Sequence, residues 1–141
     1  MLKYVLLYNV YFTLYSVERQ WKDMNIAILG FGVVGGGTAE VLTQNKALIE
    51  KKIGQPINIK YILDLREFPD SPIADRFTKD FEEIINDLEI RVVVEVMGGL
   101  HPSYEFVSRC IKAGKSVVTS NKELVAEKGA ELLAIAHEHN V

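Results

Sequence analysis

Cysteine is nearly absent from this 141-residue chain. Cys110 stands alone, so a disulfide framework is excluded and a reducing, cytoplasmic setting is expected. It falls on the apolar face of a predicted helix and reads as a small buried hydrophobe rather than a nucleophile. An excess of positive charge is also missing. The formal net charge is −3 and the basic residues are dispersed, so no nucleic-acid partner is expected. No His/Cys cluster has the spacing of a metal site. His137 and His139, two apart on a predicted helix, point in different directions, and no metal is expected. No apolar run suits a membrane span. Leu2 to Val17 comes nearest, but Lys3, Asn9, Thr13 and Ser16 interrupt it. It also lacks a small-residue cleavage site, so a signal peptide is not expected. Internal repeats and low-complexity segments are lacking too.

With 48% hydrophobic and 25% charged residues, what remains is one ordinary globular domain. Its most informative stretch is Asn25 to Gly37, NIAILGFGVVGGG. A short apolar run stops at Gly30, the sequence Gly30-Phe31-Gly32-Val33-Val34-Gly35 follows, and a helical pattern begins at once. That is the strand–turn–helix setting a G-x-G-x-x-G dinucleotide fingerprint requires. Gly30 allows the tight turn, Gly32 admits a pyrophosphate close to the backbone, and Gly35 lets the helix pack on the strand. The unpaired N–H groups and positive dipole end of the helix would hold the phosphates. The plainer alternative is a glycine-rich turn with no ligand.

The remaining pattern places this stretch in a fold. Asn25–Leu29 reads as a strand buried on both faces. Val33 to about Lys52 reads as one helix with Val34, Val41, Leu42, Leu48 and Ile49 as its apolar stripe, ended by Gly54 and Pro56. Ile57–Leu63 reads as a strand alternating Ile57, Ile59, Tyr61, Leu63. After a proline-marked loop over 68–72, a short strand is expected around Arg76–Thr78. Asp80 with Glu83 would open a short helix burying Phe81, Ile84, Ile85 and Leu88. Val92–Val96 is a β-branched run typical of a central strand. Pro102 suits the first turn of a helix lined by Tyr104, Val107, Cys110 and Ile111 and closed by Gly114. Ser116–Thr119 reads as a buried strand. Ser120 and Glu123 form the capping box S-N-K-E of a last helix running to about His139.

This β/α alternation predicts an α/β, Rossmann-like, doubly wound parallel sheet with helices on both faces. Its ligand would lie at the carboxyl ends of the strands, where the loops 30–35, 97–101 and 119–122 converge. The domain is expected to start at Met24 and run through residue 141, where the alternation calls for a further strand. Residues 1–23 read as an extension, arising either from a translation start set too far upstream or from an added packing element. So apolar a run, if exposed, favours self-association.

Several side chains could carry chemistry. Asp64 and Arg66 follow the second strand, where an acidic residue takes the ribose 2′-OH of NAD and an arginine accommodates the 2′-phosphate of NADP. A solvated charge pair is the alternative. Gly98-Gly99 after a buried strand suggests close backbone approach by a ligand, or an ordinary turn. Lys122 sits in the first turn of a helix, where the dipole disfavours a cation. An anionic or polar substrate would explain it; a surface lysine with its ammonium in water would not need one. Glu95 lies inside an apolar run, so its carboxylate is either hydrogen-bonded near the site or turned to an edge.

From Met24 onward the chain resembles the N-terminal, nucleotide-binding part of homoserine dehydrogenase. The resemblance rests on GFGVVGGG at Gly30–Gly37, VVVEVMGG at Val92–Gly99 and GKSVVTSNKELVA at Gly114–Ala126. It implies reduction of aspartate 4-semialdehyde to L-homoserine with NADPH or NADH, in threonine and methionine biosynthesis. It also implies that Phe31, Gly32, Val33, Val34 and Gly35 bind the cofactor pyrophosphate and that Arg66 lies near the adenosine ribose or its 2′-phosphate. Met97, Gly98 and Gly99 would pass along the ribose side, and Ser120 and Lys122 would lie towards nicotinamide and substrate. Lys122 is the catalytic residue the resemblance implies here. Family members continue into a second domain with a second lysine, a monovalent-cation site and the dimer interface. The expectation is therefore a fragment that binds dinucleotide, has little or no activity alone, and meets homoserine or aspartate 4-semialdehyde only with that domain. Two other readings stand beside it: a stand-alone dinucleotide-binding sensor or regulator without catalysis, and another two-domain dehydrogenase of the aspartate or dihydrodipicolinate reductase type.

Overall fold

A computed structural model describes residues 23–141. The extension expected over residues 1–23 lies outside the described residues, apart from Asp23. The centre of the fold is β1 (Met24–Leu29), whose last four residues are buried. It is flanked in parallel by β2 (Ile57–Leu63) and β4 (Ile90–Glu95). The two-residue β3 (Phe77–Thr78) adds to β2, and β5 (Ser116–Thr119) adds to β4. The order β3-β2-β1-β4-β5 gives a fully parallel five-stranded sheet whose strand order reverses beside β1. Such a reversal opens a crevice at the carboxyl ends of the strands.

Apolar side chains leave the sheet on both sides, so both sides carry helices. Ile26, Ile28, Ile57, Ile59 and Ile62 bury against α1 (Val33–Gln44) and α2 (Lys46–Ile53) through Ala39, Leu42 and Ile49. Ala27, Leu29, Leu63 and Val93 face α3 (Phe81–Asn86) and α4 (Ser103–Lys112) through Phe81, Ile84 and Cys110. The long α5 (Lys122–His139) packs on α4 through Val107, Ile111, Leu124 and Leu132. The doubly wound, Rossmann-like α/β architecture expected from the sequence is the one observed.

Several local expectations are corrected. The single helix over Val33 to Lys52 is two helices, because Asn45 leaves helical geometry (φ −100°, ψ 15°) and serves as the end of α1 and the start of α2. Asparagine competes with the helix for its own backbone groups and favours such ends. The buried residues of α1 are Gly35 and Ala39, small residues against the sheet, whereas Val34, Val41 and Leu48 of the expected stripe are more than half exposed. In β2 the alternation is interrupted. Ile26 pairs with Ile59 and Ala27 with Tyr61, which leaves Lys60 as a bulge and sends Tyr61 and Leu63 to the face opposite Ile57 and Ile59. Asp80 does cap α3, its carboxylate accepting from the Glu82 N–H at 2.8 Å, but Leu88 lies beyond the helix and points outward. Strand β5 is an edge strand with Val118 exposed, not a buried one. The cap of α5 is Asn121, whose side chain accepts from the Leu124 N–H at 3.1 Å, and not Ser120.

Candidate functional site

Each glycine of the first motif has its own physical reason. Gly30 turns out of β1 at φ +97°, and a Cβ there would stand 3.0 Å from the Met97 side chain. A Cβ on Gly35 would stand 2.1 Å from the carbonyl oxygen of Gly30, so only glycine lets α1 lie against the turn. Gly32 is different. Its φ is −83°, and a Cβ there would meet nothing within 4 Å. Neither backbone strain nor packing demands glycine at 32; the residue leaves open space over the helix start.

That start is unfilled by the protein. Gly32 caps α1 without a side-chain hydrogen bond, and the first turn contains no acidic residue. The first helical bond runs from Gly36 N to Gly32 O at 2.8 Å. The N–H groups ahead of it have no acceptor within the helix and face an anion's natural position. Val33 and Val34 supply backbone there, their side chains exposed.

Phe31 between the glycines is held from three directions. Its N–H donates to the Asp64 carboxylate at 2.8 Å, and its carbonyl accepts from the Arg66 guanidinium at 3.1 Å. Its ring meets Phe68 and Phe77 edge-on, with centroids 5.0 and 4.8 Å away. Asp64 also accepts from the Arg66 backbone N–H and guanidinium at 2.8–3.0 Å. The guanidinium foremost, with the Arg66 and Phe31 backbone N–H groups, holds the Asp64 carboxyl far below the ordinary carboxylate range against the opposing effect of burial. The guanidinium in turn lies over the Phe68 ring at 5.2 Å. Asp64 and Arg66 thus pair with each other and clasp the glycine loop at Phe31, a contact the sequence did not predict.

A cavity of about 450 Å³ opens beside this clasp. Gly32, Arg66 and Met97 line it, together with Lys79, Pro102 and Phe106, none of which the sequence placed in the site. Phe106 stacks on Phe81 at 4.1 Å to form an apolar wall. Lys79 stands at the rim with its ammonium 2.8 Å from Glu67. No local pattern marks these residues as a site; the turn after β3 and the start and first turns of α4 bring them together.

Across the strand-order reversal, Gly98 and Gly99 take left-handed conformations at φ +79° and +72°. The Asn121 side-chain amide donates to the Gly99 carbonyl at 2.6 Å, tying this loop to the start of α5. Ser120 and Lys122 flank Asn121 and are exposed. Glu95 is fully buried and hydrogen-bonded at the end of β4, the first of the two expected alternatives. Cys110 is buried away from these loops, and burial pushes its thiol up to about 12. Among the described residues, no group of three or more His, Cys, Asp or Glu could hold a metal ion, and no helix is long and apolar enough to cross a membrane. A dinucleotide fits what is present: a helix start left open at Gly32, a flanking apolar cavity and a cationic rim.

The model of the homoserine dehydrogenase NAD-binding domain matches residues 30–141. A homoserine dehydrogenase of Lactococcus lactis subsp. lactis is 42% identical over 123 residues, covering 84% of this chain and 29% of the relative. One from Neisseria gonorrhoeae is 40% identical over 122 residues, covering 85% and 28%. The crystal structure of S. aureus homoserine dehydrogenase at pH 7.0 superposes with a TM-score of 0.79 at 35% identity, covering 86% of this chain and 32% of that one. A hyperthermophilic archaeal homoserine dehydrogenase in complex with NADPH shares the fold, with a TM-score of 0.68 at 24% identity over 84% of this chain and 42% of its own. The chain spans 29% or less of the length of the two curated relatives named here.

Proposed function

The chain belongs to the homoserine dehydrogenase family, as its NAD-binding domain, and we propose that it provides the cofactor half of an enzyme interconverting L-homoserine and L-aspartate 4-semialdehyde. The reaction is L-homoserine + NAD(P)+ = L-aspartate 4-semialdehyde + NAD(P)H + H+. The observation that carries this reading is Gly32. A glycine that neither strain nor packing requires, set at an uncapped helix start beside the cavity, leaves room for a phosphate group.

In this reading the N–H groups of Gly32, Val33, Val34 and Gly35 meet the pyrophosphate, while Phe31 keeps that loop in place through Asp64. Arg66 reads the adenosine ribose or its 2′-phosphate, and Met97, Gly98 and Gly99 run along the cofactor. The bound dinucleotide supplies the hydride chemistry. Lys122, exposed at the start of α5, donates a hydrogen bond or proton to the oxygen that becomes the homoserine hydroxyl. The substrate and the remaining catalytic groups are met by further parts of a longer protein, since the relatives extend well beyond the matched region. We place the chain in the cytoplasm, in keeping with its single buried thiol, and expect self-association through the exposed Val118 edge of β5 and the outer face of α5 at Val125 and Leu133.

The test is a fluorescence titration of the 141-residue chain with NADPH and with NADH. Saturable binding that disappears in Gly32→Val is expected, together with little or no homoserine oxidation. Absence of binding to both cofactors overturns the cofactor assignment; robust turnover by this chain overturns its division of labour.

A further inference from the structure

Glu95 is a fully buried carboxylate with no cationic partner within salt-bridge distance among the described residues. Its two oxygens are held by hydrogen bonds alone. Oε1 accepts from the Met97 N–H at 2.8 Å and lies 3.3 Å from the Ser103 hydroxyl, which shares its proton with the Gly98 carbonyl. Oε2 accepts from the Thr119 hydroxyl at 2.5 Å. Thr119 Oγ1 in turn accepts from the Asn121 N–H at 3.0 Å, and the Asn121 side chain donates to the Gly99 carbonyl at 2.6 Å. The links close a ring: Glu95, the Met97–Gly99 backbone, Asn121, Thr119, and Glu95 again.

The ring spans the ends of β4 and β5, on the far side of the strand-order reversal from Asp64 and Arg66. A dinucleotide whose adenosine lies over the end of β2 extends its other half towards these loops. Resting on the dinucleotide reading above, we propose that Glu95 is a positioning residue for the nicotinamide half: it fixes the spacing between Gly98-Gly99 and Lys122 without touching the cofactor. The direction of the hydrogen bonds is what makes the carboxylate necessary. Met97, Ser103 and Thr119 all donate to it, and a carboxylate is the side chain that accepts from every side. In Glu95→Gln the amide oxygen keeps Met97, but the amide NH2 faces Thr119. That hydroxyl then meets donors from both Gln and Asn121, and its own proton is left without an acceptor.

The experiment compares whole-cofactor binding with binding of the adenine half alone, for the full chain and its variants. The pairs are NADPH with 2′,5′-ADP, or NADH with 5′-AMP, whichever cofactor binds. Expected in Glu95→Gln is a loss of about tenfold for the whole cofactor, with the adenine half unchanged within about twofold. Thr119→Val, which removes the same link from its other end, gives the same pattern and replaces Glu95→Gln should that variant not fold. Equal losses for both ligands mean a role in the fold as a whole and overturn the proposal. So does an unchanged affinity for the whole cofactor, or unfolding of both variants by circular dichroism. If the unaltered chain binds neither ligand, the dinucleotide reading itself fails and takes this inference with it; binding of both ligands by the unaltered chain keeps the two tests separate.

Discussion

The backbone N–H of Phe31 donates to the carboxylate of Asp64 at 2.8 Å across 33 residues of sequence. One side chain at the end of β2 thereby fixes the loop that opens α1. Arg66 completes the clasp by binding both the carboxylate and the Phe31 carbonyl.

Removing the charge from this clasp gives the first prediction. Asp64→Asn keeps the shape but weakens the bonds to Arg66 and Phe31, and is expected to cost about 1–2 kcal/mol at pH 7 after allowance for the exposed guanidinium. The folded carboxyl is held below its unfolded value, so its contribution is fully present above the ordinary range near about 4 and is lost as pH falls from there towards the folded value. Urea denaturation of both proteins at pH 7 and pH 3 should show the gap narrowing at the lower pH.

The glycines at 32 and 35 should separate binding from folding. Gly35→Ala drives a Cβ into the Gly30 carbonyl oxygen at 2.1 Å and should cost about 3 kcal/mol. Gly32→Ala meets nothing within 4 Å and, as a weaker N-cap, should cost about 1 kcal/mol or less. On the proposed placement of the cofactor phosphates over Gly32, it should nonetheless lower cofactor affinity. Thermal melts paired with cofactor titrations check both halves.

Arg66 should discriminate between the two cofactors. Arg66→Ala is expected to weaken NADPH by about tenfold or more and NADH by less, since only NADPH carries the 2′-phosphate. Equal losses in paired titrations contradict that assignment.

Cys110 should be silent in the folded chain. It is fully buried and its thiol is pushed up to about 12 by burial, so little thiolate forms at pH 8. Iodoacetamide should label the native protein slowly and the urea-unfolded protein fast, which mass spectrometry would read directly.

The alternation of strands and helices, the parallel sheet and the glycine turn were legible because each rests on local pattern. The run before Gly30 is apolar on both faces, and the alternation of strands and helices admits few parallel arrangements. What stayed hidden is set by contacts between distant residues. Phe31, Phe68 and Phe77 form one aromatic group from two loops and strand β3, and Lys79 and Phe106 reach the cavity from different elements. Local chemistry also misled where two residues offered the same function. Ser120 and Asn121 are both good caps, and Asn121 prevails because its amide also reaches the Gly99 carbonyl. Of the expected stripe, Leu42 and Ile49 do pack on the core, but Val34 and Val41 do not, because close approach to the sheet selects Gly35 and Ala39 over the larger valines.

The bulge at Lys60 lies well away from the cofactor loops, yet it governs them. A strand carries its side chains in two-step phase, and one unpaired residue inverts the phase of everything downstream. Were Lys60 instead paired as an ordinary rung opposite Ala27, Tyr61 through Asp64 would each turn to the opposite side of the sheet. The carboxylate would then leave the Phe31 N–H, and Ile62 and Leu63 would exchange cores. A site that looks like a property of the carboxyl ends is thus timed by an irregularity in mid-strand, and deleting Lys60, which closes the ladder with the same partners, should leave Tyr61 through Asp64 on their present faces.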